Sequence, residues 1–277
     1  MRIAPLFAAA AALTLTAPAF AEGHEGAHSI EEILADPARA DEAARDQYRN
    51  PAETLAFFQV EPSMTVVEYG PGGGWYSRVL IPYISPHGTY MATQADSSNR
   101  TFDSRAAQVR TLSWTERFTE AARGMGTFGD DEVIAFESDE APEGVAGNVD
   151  RVLVFRSIHG MLNNEIADSE LRAIRALLAD DGMVGVVQHR APEGASYADS
   201  RGTRAYLRQS DVVSLFEHNG FELVDSSEVN ANPNDPADWE GGVWTLPPVL
   251  RYGDQDRARY EAIGESDRMT LLFRKRD

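Results

Sequence analysis

Glycine recurs at every second position, Gly70, Gly72 and Gly74, directly after the short apolar run Thr65-Val66-Val67-Glu68-Tyr69. Behind the glycines, Trp75 to Ile84 has the composition of a helix. A strand, a glycine turn and a helix in that order open an α/β sheet that takes its ligand at the turn. Gly70 permits the sharp reversal of the chain. Gly72 removes side-chain bulk where a ligand must touch backbone, and Gly74 does the same at the helix start. The dinucleotide fingerprint G-x-G-x-x-G requires a glycine at position 75, where this chain has Trp75.

The rest of the chain continues the alternation. Strands are expected at Thr65–Tyr69, Thr89–Thr93, Glu132–Phe136, Arg151–Phe155, Met183–Gln188, Phe221–Ser226 and Thr270–Arg274. Between them, helical patterns cover Asp103–Arg123, Asp168–Ala179 (stopped by Asp180-Asp181-Gly182) and Ser210–Asn219. Strands alternating with helices predict an α/β domain, a mostly parallel sheet with helices on both faces. The segment Glu228–Asp267 is rich in Asn, Pro, Asp, Gly and Trp. A connection that long is either functional or a surface excursion.

Composition narrows the chemistry. Lys+Arg total 25 against 44 Asp+Glu, a formal charge of −19, and no basic patch offsets it, so neither nucleic acid nor anionic lipid is an expected partner. Lys275 is the only lysine, two residues from the end, which argues against Schiff-base and phosphate-loop enzymes. The N-terminus reads as a secretory signal over residues 1–21. Arg2 supplies the charge, Ile3–Ala17 the apolar stretch, and Ala19-Phe20-Ala21 the cleavage site. Residues 22–62 form a tail and helices that cover the domain, and 63–277 the domain itself. Ser29 begins a capping box, Ala40–Tyr48 is helical by composition, and Asn50-Pro51 opens a further helix. No later run is apolar enough to span a bilayer, and the chain lacks cysteine, so a soluble exported, periplasmic protein without disulfides is expected.

With Glu68 before the turn, the pattern is E-x-G-x-G-x-G, the form of this crevice that takes S-adenosylmethionine. That ligand is cationic and has no phosphate, so an acid beside the turn suits it. A second acid about 20 residues further on binds the ribose in this fold. Asp96 is the nearby acid, two residues beyond the usual place, and Gln94 is the other candidate; a loop acid or helix cap is the bland alternative for Asp96.

The chain resembles the predicted class I S-adenosylmethionine-dependent methyltransferases of exported bacterial type. The resemblance spans nearly the whole mature chain. It rests on Tyr69–Ser77, Val154–His159, Gly185–Arg190, Asn230–Pro233, Gly242–Pro248 and Gly264–Met269. It implies a Rossmann-like methyltransferase fold, a seven-stranded sheet whose last strand runs antiparallel, and a cofactor site at Glu68, Gly70, Gly72 and Gly74. The expected activity is methyl transfer from S-adenosylmethionine to a small or peptide-like acceptor. A non-catalytic periplasmic protein binding a nucleoside-like or other small ligand in the same crevice is the alternative.

His159 and His189 follow the fourth and fifth strands, at the carboxyl edge where ligands bind. With Arg156 and Arg190 they form a candidate catalytic or acceptor cluster. Each histidine alternatively bonds loop backbone, and a metal held by both is the third reading. Tyr76 and Trp75 either face the cofactor or pack in the core. His24-Glu25-Gly26-Ala27-His28 matches H-E-x-x-H in letters but lies in a Gly-interrupted tail, so it is not read as a zinc site. The charges of Gly264-Glu265-Ser266-Asp267-Arg268 are expected to form a buried network that fixes the long loop, rather than to touch a substrate.

Overall fold

Residues 28–98, 100–126 and 133–276 are described by the computed structural model. The signal segment and the first four residues of the His24–His28 pattern lie outside them.

Eight strands form one sheet: β1 (Thr65–Tyr69), β2 (Thr89–Gln94), β3 (Ile134–Glu137), β4 (Val149–Phe155), β5 (Leu178–Ala191), β6 (Leu207–Arg208), β7 (Phe221–Ser227) and β8 (Arg268–Lys275). Their order is β3-β2-β1-β4-β5-β8-β7, with the two-residue β6 beside β5. Strands β1 to β5 are parallel to their neighbours, and β8 runs antiparallel between β5 and β7. This is the expected sheet, seven strands on the main path with the last antiparallel. The order reverses between β1 and β4, and that switch point is where an open sheet leaves a crevice at its carboxyl edge.

Alternation along the strands supplies a core on each face. Val67 and Tyr69 of β1 join Val152, Val154, Val184 and Val186 under the helices Ala167–Leu177 and Gln209–His218. Val66, Leu153, Phe155 and Val187 face the other way, toward the helix Ser77–Ile84 and the N-terminal helices. Each large apolar side chain so buried contributes roughly 1.5–3 kcal/mol. Phe58, fully buried, lies flat over Gly185 of β5, where an added Cβ would stand 2.6 Å from the ring. That contact seats the N-terminal helices on the sheet.

Three local expectations are corrected. The helix over Asp103–Arg123 is two helices, Arg105–Leu112 and Trp114–Ala122, parted at Ser113, whose ψ of 13° leaves the helical range. The helix over Ala40–Tyr48 is likewise split, into Ala40–Ala43 and Asp46–Arg49. Asp180-Asp181-Gly182 does not end an element. It sits within β5, where pairing with β4 jumps from Val149–Leu178 to Arg151–Met183. A bulge and a turn use the same polar, glycine-containing residues.

The segment after β7 is packed rather than loose. Ala237, Trp239, Val243, Leu246 and Tyr260 form a third apolar cluster with Ala191, Ala205 and Tyr206 at the end of β5. Asp235 ties it down, accepting hydrogen bonds from Tyr206 Oη, Trp239 Nε1 and the backbone N–H groups of Ala237 and Asp267 at 2.8–2.9 Å.

Candidate functional site

The chain turns at the carboxyl end of β1 through three glycines in the left-handed region, Gly70 (φ 62°), Gly72 (φ 60°) and Gly74 (φ 76°). Other residues pay roughly 1–2 kcal/mol there. At Gly70 space is short as well: a Cβ would lie 2.9 Å from Ser157 Oγ. At Gly72 the nearest atom to such a Cβ is 4.0 Å away, so the backbone stands open. Glu68 lies beneath the turn, 1% exposed, its Oε2 accepting from Ser77 Oγ and Tyr90 Oη, both at 2.7 Å. Burial pushes its carboxyl above the ordinary range, and the two hydroxyls oppose that rise.

The turn is one wall of a cavity of about 340 Å³ lined also by Glu42, Arg45, Arg49, Trp75, Tyr76, Arg78, Phe155, Arg156 and Ser157. The Tyr76 ring is stacked on Phe155, centroids 3.5 Å apart, and its hydroxyl donates to the Arg49 carbonyl. Trp75 donates from Nε1 to the Glu42 carbonyl, with the Arg49 guanidinium 4.5 Å above its ring. Both aromatics therefore pack while lining the cavity.

Arg45, Arg49 and Arg156 line the same cavity, with Arg268 joined to them through Glu265. Arg45 and Arg49 come from the N-terminal helices, Arg156 follows β4, and Arg268 opens β8. Glu265 is their shared counter-ion: Arg45 Nε is 2.6 Å from Oε1, while Arg49 Nε (3.1 Å) and Arg268 Nη2 (2.5 Å) reach Oε2. The guanidiniums hold the Glu265 carboxyl down at about 2 despite its burial. Thus Glu265 and Arg268 form the expected network, and Asp267 extends it by pairing with Arg190. Arg190 is also bound to Glu228, which turns it to structural work. Sequence reading missed Arg45 and Arg49. Their i, i+4 spacing was the available signal, and nothing local tied it to Glu265.

Positive charge exceeds its partners here. Arg49 Nη1 and Arg156 Nη1 are shielded from solvent and have no hydrogen-bond partner among the described residues. A buried donor left so costs roughly 1–3 kcal/mol. Burial, then Arg156, pulls Arg49 down to about 9; burial, then Arg268, pulls Arg156 down to about 10. Both remain protonated at neutral pH. Arg156 itself has φ 56°, and its N–H donates to the Val187 carbonyl at 2.6 Å.

His159 and His189 come together, ring centroids 5.9 Å apart. His189 Nδ1 is 2.6 Å from Ser266 Oγ, and His159 Nδ1 about 3.5 Å from the Gln188 amide. Burial lowers both imidazoles below the ordinary range; Arg268 lowers His189 further, while the Gln188 bond opposes the fall at His159. They are therefore neutral at pH 7. Among the described residues, the carboxylates and imidazoles spaced to share a metal are Asp96, Glu137 and Asp139, without either histidine. Asp96 lies beyond β2 and accepts from the Ser98 N–H, while Gln94 donates to Glu137. Neither lines the cavity.

No protein-family model matches the chain, and no curated protein matches its sequence. Solved structures do match by shape. Geranyl diphosphate methyltransferase in complex with SAM aligns with a TM-score of 0.54 at 15% identity, over 88% of this chain and 94% of that one. This chain has the Rossmann-like methyltransferase fold. A structure named as the complex between the Haloferax volcanii Trm112 methyltransferase activator and "the putative methyltransferase" aligns at 0.51 and 16% identity, over 90% and 98%. The [4+2]-cyclase SpnF aligns at 0.50 and 15%, over 82% and 80%. One frame thus carries methyltransferases and a protein named as a cyclase, so the reaction has to be argued from the site. Among the described residues, no helix is long and apolar enough to cross a membrane.

Proposed function

We propose that the protein is an S-adenosylmethionine-dependent methyltransferase acting on a small or peptide-like acceptor. The observation that carries this is the turn itself: three left-handed glycines over a buried acid, at the switch point between β1 and β4, with Gly70 to Gly73 lining the cavity. An open backbone at Gly72 is a cradle that any side chain would fill, so the residues fit the donor. Gly70 and Gly72 would hold it, with Gly74 at the helix start and Glu68 and Tyr76 below; Asp96, outside the cavity's lining, is not part of this set. The bound donor supplies an electrophilic methyl group on a sulfonium.

What remains for the protein is chiefly to position the acceptor and to keep water out. Arg156, His159 and His189 are assigned to the acceptor side. Both imidazoles are neutral, the form that accepts a proton, but neither lines the cavity, so a base role requires that the acceptor reach past its wall. We place this activity in an exported compartment, on the strength of Arg2, the apolar Ile3–Ala17 and Ala19-Phe20-Ala21. N-terminal sequencing of protein recovered from the periplasm should begin at Glu22.

Calorimetric titration with S-adenosylmethionine and S-adenosylhomocysteine tests the donor site. Micromolar binding of either is expected. A folded, monodisperse sample that binds neither would overturn the methyltransferase reading and turn the search to other nucleosides.

A further inference from the structure

The cavity's charge does not match the donor alone. In a chain of formal charge −19, its glycine-free wall gathers Arg45, Arg49 and Arg156, with Arg268 close behind. Glu265 bonds three of these arginines through its two oxygens, and makes no hydrogen bond with Arg156. The cavity's own carboxylates do not make up the difference. Glu42 gives Oε1 to Arg78 and keeps one buried oxygen, Oε2, without a partner, a single carboxylate among the four arginines of the lining, while burial pushes Glu68 toward its neutral form. A sulfonium brought into this field is disfavoured unless negative charge arrives with it.

We propose that Arg49 and Arg156, with Arg45 beside them, form a receptor for an anionic group on the acceptor, a carboxylate or a phosphate. Three features make it a built site. The Nη1 atoms of Arg49 and Arg156 are enclosed without partners, so an anion supplies what the fold leaves open. Arg49 is locked, its Nε on Glu265 and its guanidinium over Trp75. Arg156 is held by a left-handed backbone that a non-glycine residue adopts only under constraint, with its N–H fixed to Val187. The arginines come from the N-terminal helices and the end of β4, and line the same cavity as the glycines. The inference rests on the methyltransferase reading for which partner brings the anion, not for the existence of the receptor.

The donor also carries a carboxylate, so the test must separate the two sources. Inorganic phosphate and benzoate are titrated into the full-length protein, free and saturated with S-adenosylhomocysteine, with binding followed by calorimetry. Either anion is expected to bind the saturated protein, and Arg156→Gln to weaken that binding about tenfold or more, the loss of one charged hydrogen bond. Arg156→Lys should restore part of it, which separates charge from folding. Anion binding that S-adenosylhomocysteine abolishes would assign the arginines to the donor's carboxylate and overturn the proposal. Unchanged anion binding in a folded Arg156→Gln, or no binding by either anion, would overturn it too. If S-adenosylhomocysteine fails to bind while the anion binds through Arg156, the receptor stands and the methyltransferase reading falls.

Discussion

The two walls of the cavity are built in opposite ways. One is a contiguous stretch, Glu68 to Gly74, that works by lacking side chains and is shaped by three positive φ angles. The other is made of long charged side chains from segments far apart, with Arg49 and Glu265 separated by 216 positions. The first wall costs little to form, because glycine takes the required backbone freely. The second encloses several charges around one carboxylate, and holds only while that carboxylate is present. A recognition surface for backbone contact is therefore robust to the rest of the fold, whereas a charged one is tied to the fold's integrity.

The largest effect is expected where the second wall is cut at its centre. Glu265→Ala leaves Arg45, Arg49 and Arg268 facing one another without a counter-ion, and should cost on the order of 3–5 kcal/mol. Urea denaturation followed by circular dichroism measures it. A loss under about 1 kcal/mol would mean that solvent already neutralises these arginines. Acid gives the same answer without mutation. Glu265 is depressed from 4.5 to about 2, so its contribution is complete above 4.5 and is lost as pH falls toward 2.

Next comes the first wall. Gly72→Asp places a charged side chain where nothing stands within 4.0 Å except the Gly70 carbonyl. Stability should fall by roughly 1–2 kcal/mol from the left-handed backbone alone. Binding of S-adenosylhomocysteine should fall about a hundredfold or more, since the side chain occupies the ligand's approach. The two walls then differ in kind: damage to the glycines is read in affinity, damage to Glu265 in stability. Retained affinity in Gly72→Asp would remove the donor from this turn.

The same contrast explains what the sequence disclosed. Strand, turn and helix around Gly70 were legible because their signals are local and each has one meaning. The antiparallel β8 was expected from the family resemblance alone; the meeting of His159 with His189 followed from their places after β4 and near the end of its neighbour β5. The two-residue β6 gives no periodicity to detect. Asp180-Asp181-Gly182 misled because a bulge inside β5 uses turn residues. Arg45 and Arg49 went unremarked because only the fold brings Glu265 to them.

A smaller effect tests the two histidines, which lie outside the cavity's lining. Both are held below 6.5 by burial, so the native state stays neutral where the unfolded chain takes up protons. Stability should therefore fall as pH drops below about 6.5, by up to about 1.4 kcal/mol per unit for each histidine. Glu68 acts in the opposite sense, because its raised carboxyl takes up its proton in the native state first. Comparing wild type with His189→Asn between pH 7 and 5 isolates the histidine share. An unchanged slope would place His189 in contact with water.

The smallest effect lies outside the cavity and asks whether enclosure, rather than charge, sets the cost. Arg190 holds two carboxylates at once, Asp267 through Nε at 2.8 Å and Glu228 through Nη2 at 2.7 Å. Their side chains are 16% and 68% exposed. Arg190 holds the Glu228 carboxyl below its ordinary range, yet a pair so exposed is screened by solvent. Glu228→Gln should cost less than about 1 kcal/mol in thermal or urea unfolding. Asp267→Asn should cost more, because its Oδ1 also accepts from the Asn232 N–H and fastens the long segment to β8. Equal costs for the two would show that charge alone decides, and the same rule would then lower the expectation for Glu265.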